Sequence, residues 1–308
     1  MEAVVAGARF TQVLGAAVLF GTPLFLVYGL PASGRSSGAA LHWPRPLLAV
    51  VAGVVFLASL VSLCGQTAMM AGDPAAALDM AMVGGVVTDS AFGLAVAVRL
   101  AVAALAIAAG VILRPGRALW LALSGLGAIA LGSLAWGGHG AADEGLHGLI
   151  HLPADILHLL AAGVWLGALA ALALLLIAPS REDPDATRTL HAALAGFSGI
   201  GAAVVAVILA TGLVNSWFLV GPNRIPAMLT TAYGQLLLIK IGLFWGMIAL
   251  ASLNRFIHTP ALARDLETHG ALPALKALRL SVLVELAAGM LVLVLASFLG
   301  MLAPVSAQ

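Results

Sequence analysis

Four stretches of this 308-residue chain, Phe10–Gly34, Pro46–Gly72, Ala118–Ala142 and Ile156–Ser180, each run about 25 residues without a charged side chain. A helix needs roughly 20 apolar residues to cross the hydrocarbon of a bilayer. Each stretch is long enough, and backbone polar groups in lipid must be satisfied within helices or closed barrels. With 62% of residues hydrophobic, against about 45–50% in soluble domains, the rest of the chain follows the same logic. The fold class is therefore all-α, a polytopic membrane helix bundle.

Eight spans fit, over roughly 9–30, 47–70, 91–113, 117–137, 153–178, 190–218, 232–254 and 280–302. They form one integral membrane domain, 1–308, in two four-helix halves (1–137 and 153–308) joined by a His-rich loop, 138–152. The first run lacks a convincing small-residue cleavage site and is read as an uncleaved span. The loops fix the orientation. One side receives Arg35, Arg45, Arg114, Arg117, Arg181, Arg188, Arg255, Arg264, Lys276 and Arg279; the other receives Arg9 and Arg224. This ten-to-two bias predicts that both termini and the loops after spans 2, 4 and 6 lie outside the cytoplasm.

The net charge of +1 and the absence of a basic run leave no nucleic-acid surface. Neither a G-x-x-x-x-G-K-[ST] nor an H-E-x-x-H motif is present, so neither an ATPase nor a zinc hydrolase of that type is expected, and the chain is not read as an enzyme. A single cysteine, Cys64, rules out an internal disulfide or a cysteine-built metal cluster.

The polar chemistry concentrates on the predicted outer side. Four of the eight histidines, His139, His147, His151 and His158, fall in GGHGAADEGLHGLIHLPADILH, residues 137–158. Pro153 favours a helix start just there. If the helix extended back to residue 147, His147, His151, Asp155 and His158 would share an arc of about 80°. Asp155 also suits the role of orienting an imidazole. Met69, Met70, Met80 and Met82 gather around the loop after span 2 on the same side. Thioether sulfur suits Cu(I) and imidazole suits Cu(II), so this His/Met set points to a copper ion, although methionine is also an ordinary packing residue. Cys64, deeper in span 2, is a further soft donor. Arg99, Lys240 and Glu285 lie within spans, where charges usually face the bundle interior and pair; Asp89, Asp155 and Glu285 are the available acidic partners.

Several motifs resemble the bacterial copper resistance protein D (CopD) family. HLPADILHLLAAGVWLGALAAL at 151–172 is similar to its fifth-helix signature. The stretch at 230–255 resembles its seventh helix through Tyr233, Gly234, Lys240, Asn254 and Arg255, and 278–293, with Glu285, resembles its last. LFGTPLF at 19–25 and QTAMMAGD at 66–73 match more loosely. The resemblance implies an inner-membrane copper protein importing copper from periplasm to cytoplasm, served by a small periplasmic chaperone of the CopC type. Its ligand positions carry over onto His151, His158, Asp155 and the Met69/Met70 pair. Two other functions stay open: a b-type haem electron carrier using His158 and a second helical histidine, and an assembly protein that holds copper without moving it.

Overall fold

The computed structural model describes residues 1–30, 41–177, 184–268 and 272–308; Arg35 and Arg181 lie outside them. Eight helices among these residues are long and apolar enough to cross a membrane, as the uncharged runs require. They are α1 (Glu2–Tyr28), α2 (Pro44–Ala71), α4 (Ala91–Ile112), α5 (Arg117–Gly132), α6 (Gly145–Ile177), α7 (Pro184–Leu219), α8 (Ala232–Leu253) and α10 (Leu272–Leu299). Two short helices, α3 (Met80–Asp89) and α9 (Thr259–Thr268), are not spans of their own. A π-turn, Asn254–His258, joins α8 to α9.

The connections use strong local signals. Gly72 takes a left-handed φ of 68° to end α2. Asp79, Ser90 and Thr231 then cap α3, α4 and α8 through bonds to the backbone N–H groups of Ala81, Gly93 and Gly234. Successive spans run antiparallel, so one end of the bundle collects residues 69–92, 133–158, 215–233 and 299–308. We call it the histidine end. Arg45, Arg114, Arg117, Lys276 and Arg279 collect at the other, the arginine end.

Helices α1, α2, α4 and α5 make one bundle, and α6, α7, α8 and α10 the other. Helix α1 is the shared element, packed on α2, α5, α6 and α10. Backbone-to-backbone contact joins the halves, where a Cβ on Gly167 would meet Gly21 Cα at 2.4 Å, and packs α5 on α1 within the first, where one on Gly127 would meet Phe20 N at 2.5 Å. Without a hydrophobic drive between helices in lipid, such small-residue contacts carry the packing. Thr22 Oγ1 donates to Gly167 O at 3.0 Å across the same seam. By contrast, α7 and α8 are joined through α6 and α10 rather than packed on each other.

Three expectations change. Helix α6 starts at Gly145, so Pro153 lies inside it and His147 and His151 belong to its first two turns. Arg9 is not a loop charge: it lies in the second turn of α1 and donates through Nη1 to Gly137 O at 2.6 Å. Among the described residues Arg99 has no acidic partner. It is 2% exposed, and its guanidinium donates to Ser133 Oγ and Ser133 O, both at 3.0 Å, and to Gln12 Oε1. Five donors in a fixed fork let neutral oxygens on two other elements satisfy it. Asp89 instead accepts from its neighbour Thr88.

Candidate metal-handling site

Two glycine-rich turns build the floor of the site. Residues Ser133–Gly137 and His139–Ala141 form 3₁₀ turns after α5 and lie across α6. A Cβ on Gly138 would come within 3.2 Å of Asp155 Oδ2 and 3.5 Å of Arg9 Nη2. One on Gly140 would come within 3.4 Å of His151 Cδ2 and 3.6 Å of Asp155 Cβ. The glycine backbone thus rests close on the polar cluster, most tightly at Gly138.

Two of the three α6 histidines, His151 and His158, are each held by one ring nitrogen. Buried His151 stacks on Phe218, with centroids 4.7 Å apart and planes 11° apart, and its Nδ1 is 2.6 Å from Asp143 Oδ2. His158 Nδ1 is 3.0 Å from Thr211 Oγ1, and that hydroxyl donates to Val207 O at 2.7 Å. With the threonine proton so committed, the network assigns the imidazole proton to Nδ1. An acidic partner assigns the same tautomer to His151. Both rings then offer an unprotonated Nε2, the form in which a histidine takes a metal while its other nitrogen is anchored. His139 is reversed: its Nε2 lies 3.3 Å from Leu299 O, leaving Nδ1.

Asp155 is half-buried between these groups and accepts from Asn215 Nδ2 at 3.4 Å. Lys240 and Arg9 are the cations that act on it most. Of the acidic partners expected for Lys240, Asp155 is the one that acts on it, through space; the histidine–carboxylate contact within 4.0 Å among the described residues joins neutral His151 to Asp143. Glu285 accepts from Trp165 and Asn254.

The predicted arc is helical throughout but does not make a chelate. His147, at the exposed rim, meets the edge of Phe218 at 5.6 Å. From His147 to His158 the helix rises about 16 Å, too far for one ion with ligands about 2 Å away. Among the described residues no three His, Cys, Asp or Glu side chains come together closely enough to hold a metal ion. The side chains form a ladder instead. Met69, Met70, Met80 and Met82 are all exposed at the histidine end, but their segment packs on α2 and α4, while the ladder packs on α1, α7 and α10. Cys64 is a half-buried free thiol on α2. His158 and His191 cannot share a haem: His191 lies 20 residues before Thr211 on α7, about 30 Å of rise from the level of His158.

Asp143, Thr211, Asn215, Phe218 and Arg9 were not singled out from the sequence as site residues. Thr211 and Asn215 carry a usable signal, two polar residues at i, i+4 in an apolar span.

Fold and site together define a polytopic helical membrane protein with an anchored-histidine ladder at one end. Residues 1–149 match the copper resistance protein D-like N-terminal domain, and residues 191–299 match the copper resistance protein D domain. The copper resistance protein D of Pseudomonas syringae pv. tomato is 40% identical over 96% of this chain and 95% of its own length. The chain belongs to the copper resistance protein D family. Partial relatives are the copper transport protein CutJ of Bacillus subtilis (strain 168) and the inner membrane protein YebZ of Escherichia coli (strain K12). CutJ is 38% identical over 39% of this chain and 21% of its own length, and YebZ is 34% identical over 43% of each. No solved structure matches the chain.

Proposed function

We propose that this protein captures copper at its histidine end, facing the periplasm, and imports it through the C-terminal four helices to the cytoplasm. The observation that carries this reading is the pair of α6 histidines, each anchored at Nδ1 with Nε2 free. Ligands spaced along a helix favour passage over storage, since an ion can step between sites that each hold it weakly. The Lys/Arg asymmetry supports the orientation. The exposed methionines Met69, Met70, Met80 and Met82 are the first contact for copper delivered by a CopC-type chaperone, soft donors that exchange readily. Copper is here cargo, and the protein is a transporter rather than an enzyme.

The test is copper uptake into proteoliposomes and copper stoichiometry of the purified protein, parent against His151→Ala/His158→Ala. Uptake in the double variant should fall to the protein-free level with loss of bound copper. Unchanged uptake and stoichiometry would sink the reading. Bound copper without uptake in the parent would assign a holding role instead.

A further inference from the structure

A second polar site lies on the arginine side of the ladder. Trp165 follows His158 by two turns on the same face of α6, about 10 Å farther along. Its Nε1 donates to Glu285 Oε1 at 2.7 Å, and Asn254 Nδ2 donates to Glu285 Oε2 at 3.1 Å. Glu285 is 1% exposed, Trp165 3% and Asn254 9%. Both carboxylate oxygens thus face N–H donors, the pattern of an ionised acid. Both donors are neutral.

Two buried acceptors beside it are unspent. Asn254 Oδ1 and Ser281 Oγ have no hydrogen-bond partner among the described residues, and Ser281 stands one turn before Glu285 on α10. Each such orphan costs about 1–3 kcal/mol. Asn254 also opens the π-turn, a rare geometry found often at functional positions. Trp165, Asn254 and Glu285 line a cavity of about 270 Å³, bounded by Phe197 and Val205 of α7 and Ile248 of α8.

We infer that Glu285 and Asn254 form a transient second cation site, through which copper leaves the bundle toward the arginine end. This rests on the uptake reading above. Carboxylate and amide oxygens bind copper less tightly than imidazole or thioether, so the ligand set weakens along the path. A site that must release its ion requires that weakening.

Glu285→Gln separates this role from a structural one. Glutamine keeps an acceptor for Trp165, and its new N–H₂ meets an Asn254 amide turned to present Oδ1; the turn trades an unpaired acceptor for an unpaired donor, so the variant should be about as heat-stable as the parent. Copper stoichiometry at the histidine end should be unchanged, while uptake falls at least about tenfold, as expected for loss of a buried charge on an ion path. Cupric ion should also quench Trp165, read as the difference between parent and Trp165→Phe, and that quenching should vanish in Glu285→Gln. Uptake within twofold of the parent would overturn the inference. So would lost uptake with no Trp165 quenching in the parent, which assigns the carboxylate to folding or to a proton. If Glu285→Gln does not fold, Trp165 quenching in the parent decides alone. Failure of the underlying uptake reading looks different: the parent itself takes up no copper, or His151→Ala/His158→Ala takes it up normally.

Discussion

Thr211 touches no cargo in this scheme, yet replacing it with valine should weaken copper binding about 10- to 30-fold. Its hydroxyl proton is committed to Val207 O at 2.7 Å, so its oxygen accepts from His158 Nδ1–H at 3.0 Å. Valine has the same shape and no acceptor. The N–H is then left with only the Ile208 carbonyl, which also reaches the ring, and a poorly satisfied half-buried N–H costs up to about 1–3 kcal/mol. The ring avoids most of that cost by moving its proton to Nε2, where it can donate elsewhere. Ligation then has to return the proton to Nδ1, and binding loses about 1.5–2 kcal/mol. At 1.4 kcal/mol per decade this gives the stated range, in line with the 10- to 100-fold typical of partners behind metal-binding histidines. The assay is competition for copper against a chelator of known affinity, with protein in nanodiscs. Thr211→Ser keeps the hydroxyl and should stay within a few-fold of the parent. Binding by Thr211→Val within twofold of the parent, with His158→Ala clearly weakened, would refute the tautomer argument. Equal weakening in the serine variant would show that the lost methyl packing matters instead.

Two predictions test the scaffold. Gly167→Ala places a Cβ 2.4 Å from the Gly21 backbone, so α1 and α6 must separate by about 1 Å, and thermal unfolding in detergent should report a loss of about 2–3 kcal/mol; Gly242→Ala, which meets nothing within 4 Å, should leave stability equal or slightly higher. Arg99→Lys keeps the charge but cannot reach Ser133 Oγ, Ser133 O and Gln12 Oε1 together; it should cost about 2–3 kcal/mol, with copper affinity of the folded protein unchanged.

The same residues show where sequence reading succeeds and where it stops. Span existence was legible because the requirement is one-dimensional: about 20 residues without charge. The α8 span, expected over 232–254, is found at Ala232–Leu253. The start of α6 was not legible from Pro153. Proline is tolerated inside membrane helices when neighbours re-satisfy the backbone, and here Asp143 reaches over two turns to His151, an anchor that needs the helix intact between them. Arg99 shows a second limit. Counting opposite charges sends it to an acid, whereas its real partners, Gln12 and Ser133, are neutral and lie 87 and 34 residues away.

A hydropathy reading treats threonine, asparagine and serine in a span as background, because each costs little to bury. In lipid their weak polarity is what allows them to hold a strongly polar neighbour without bringing another charge into the membrane. Thr211 anchors His158, Asn215 donates to Asp155, and Asn254 donates to Glu285. In each case an ionisable residue singled out from the sequence depends on a weakly polar residue that is distant in sequence. For a bundle of this kind, the ionisable residues mark where an ion could bind, and the small amides and hydroxyls opposite them decide which nitrogen or oxygen is left free to bind it.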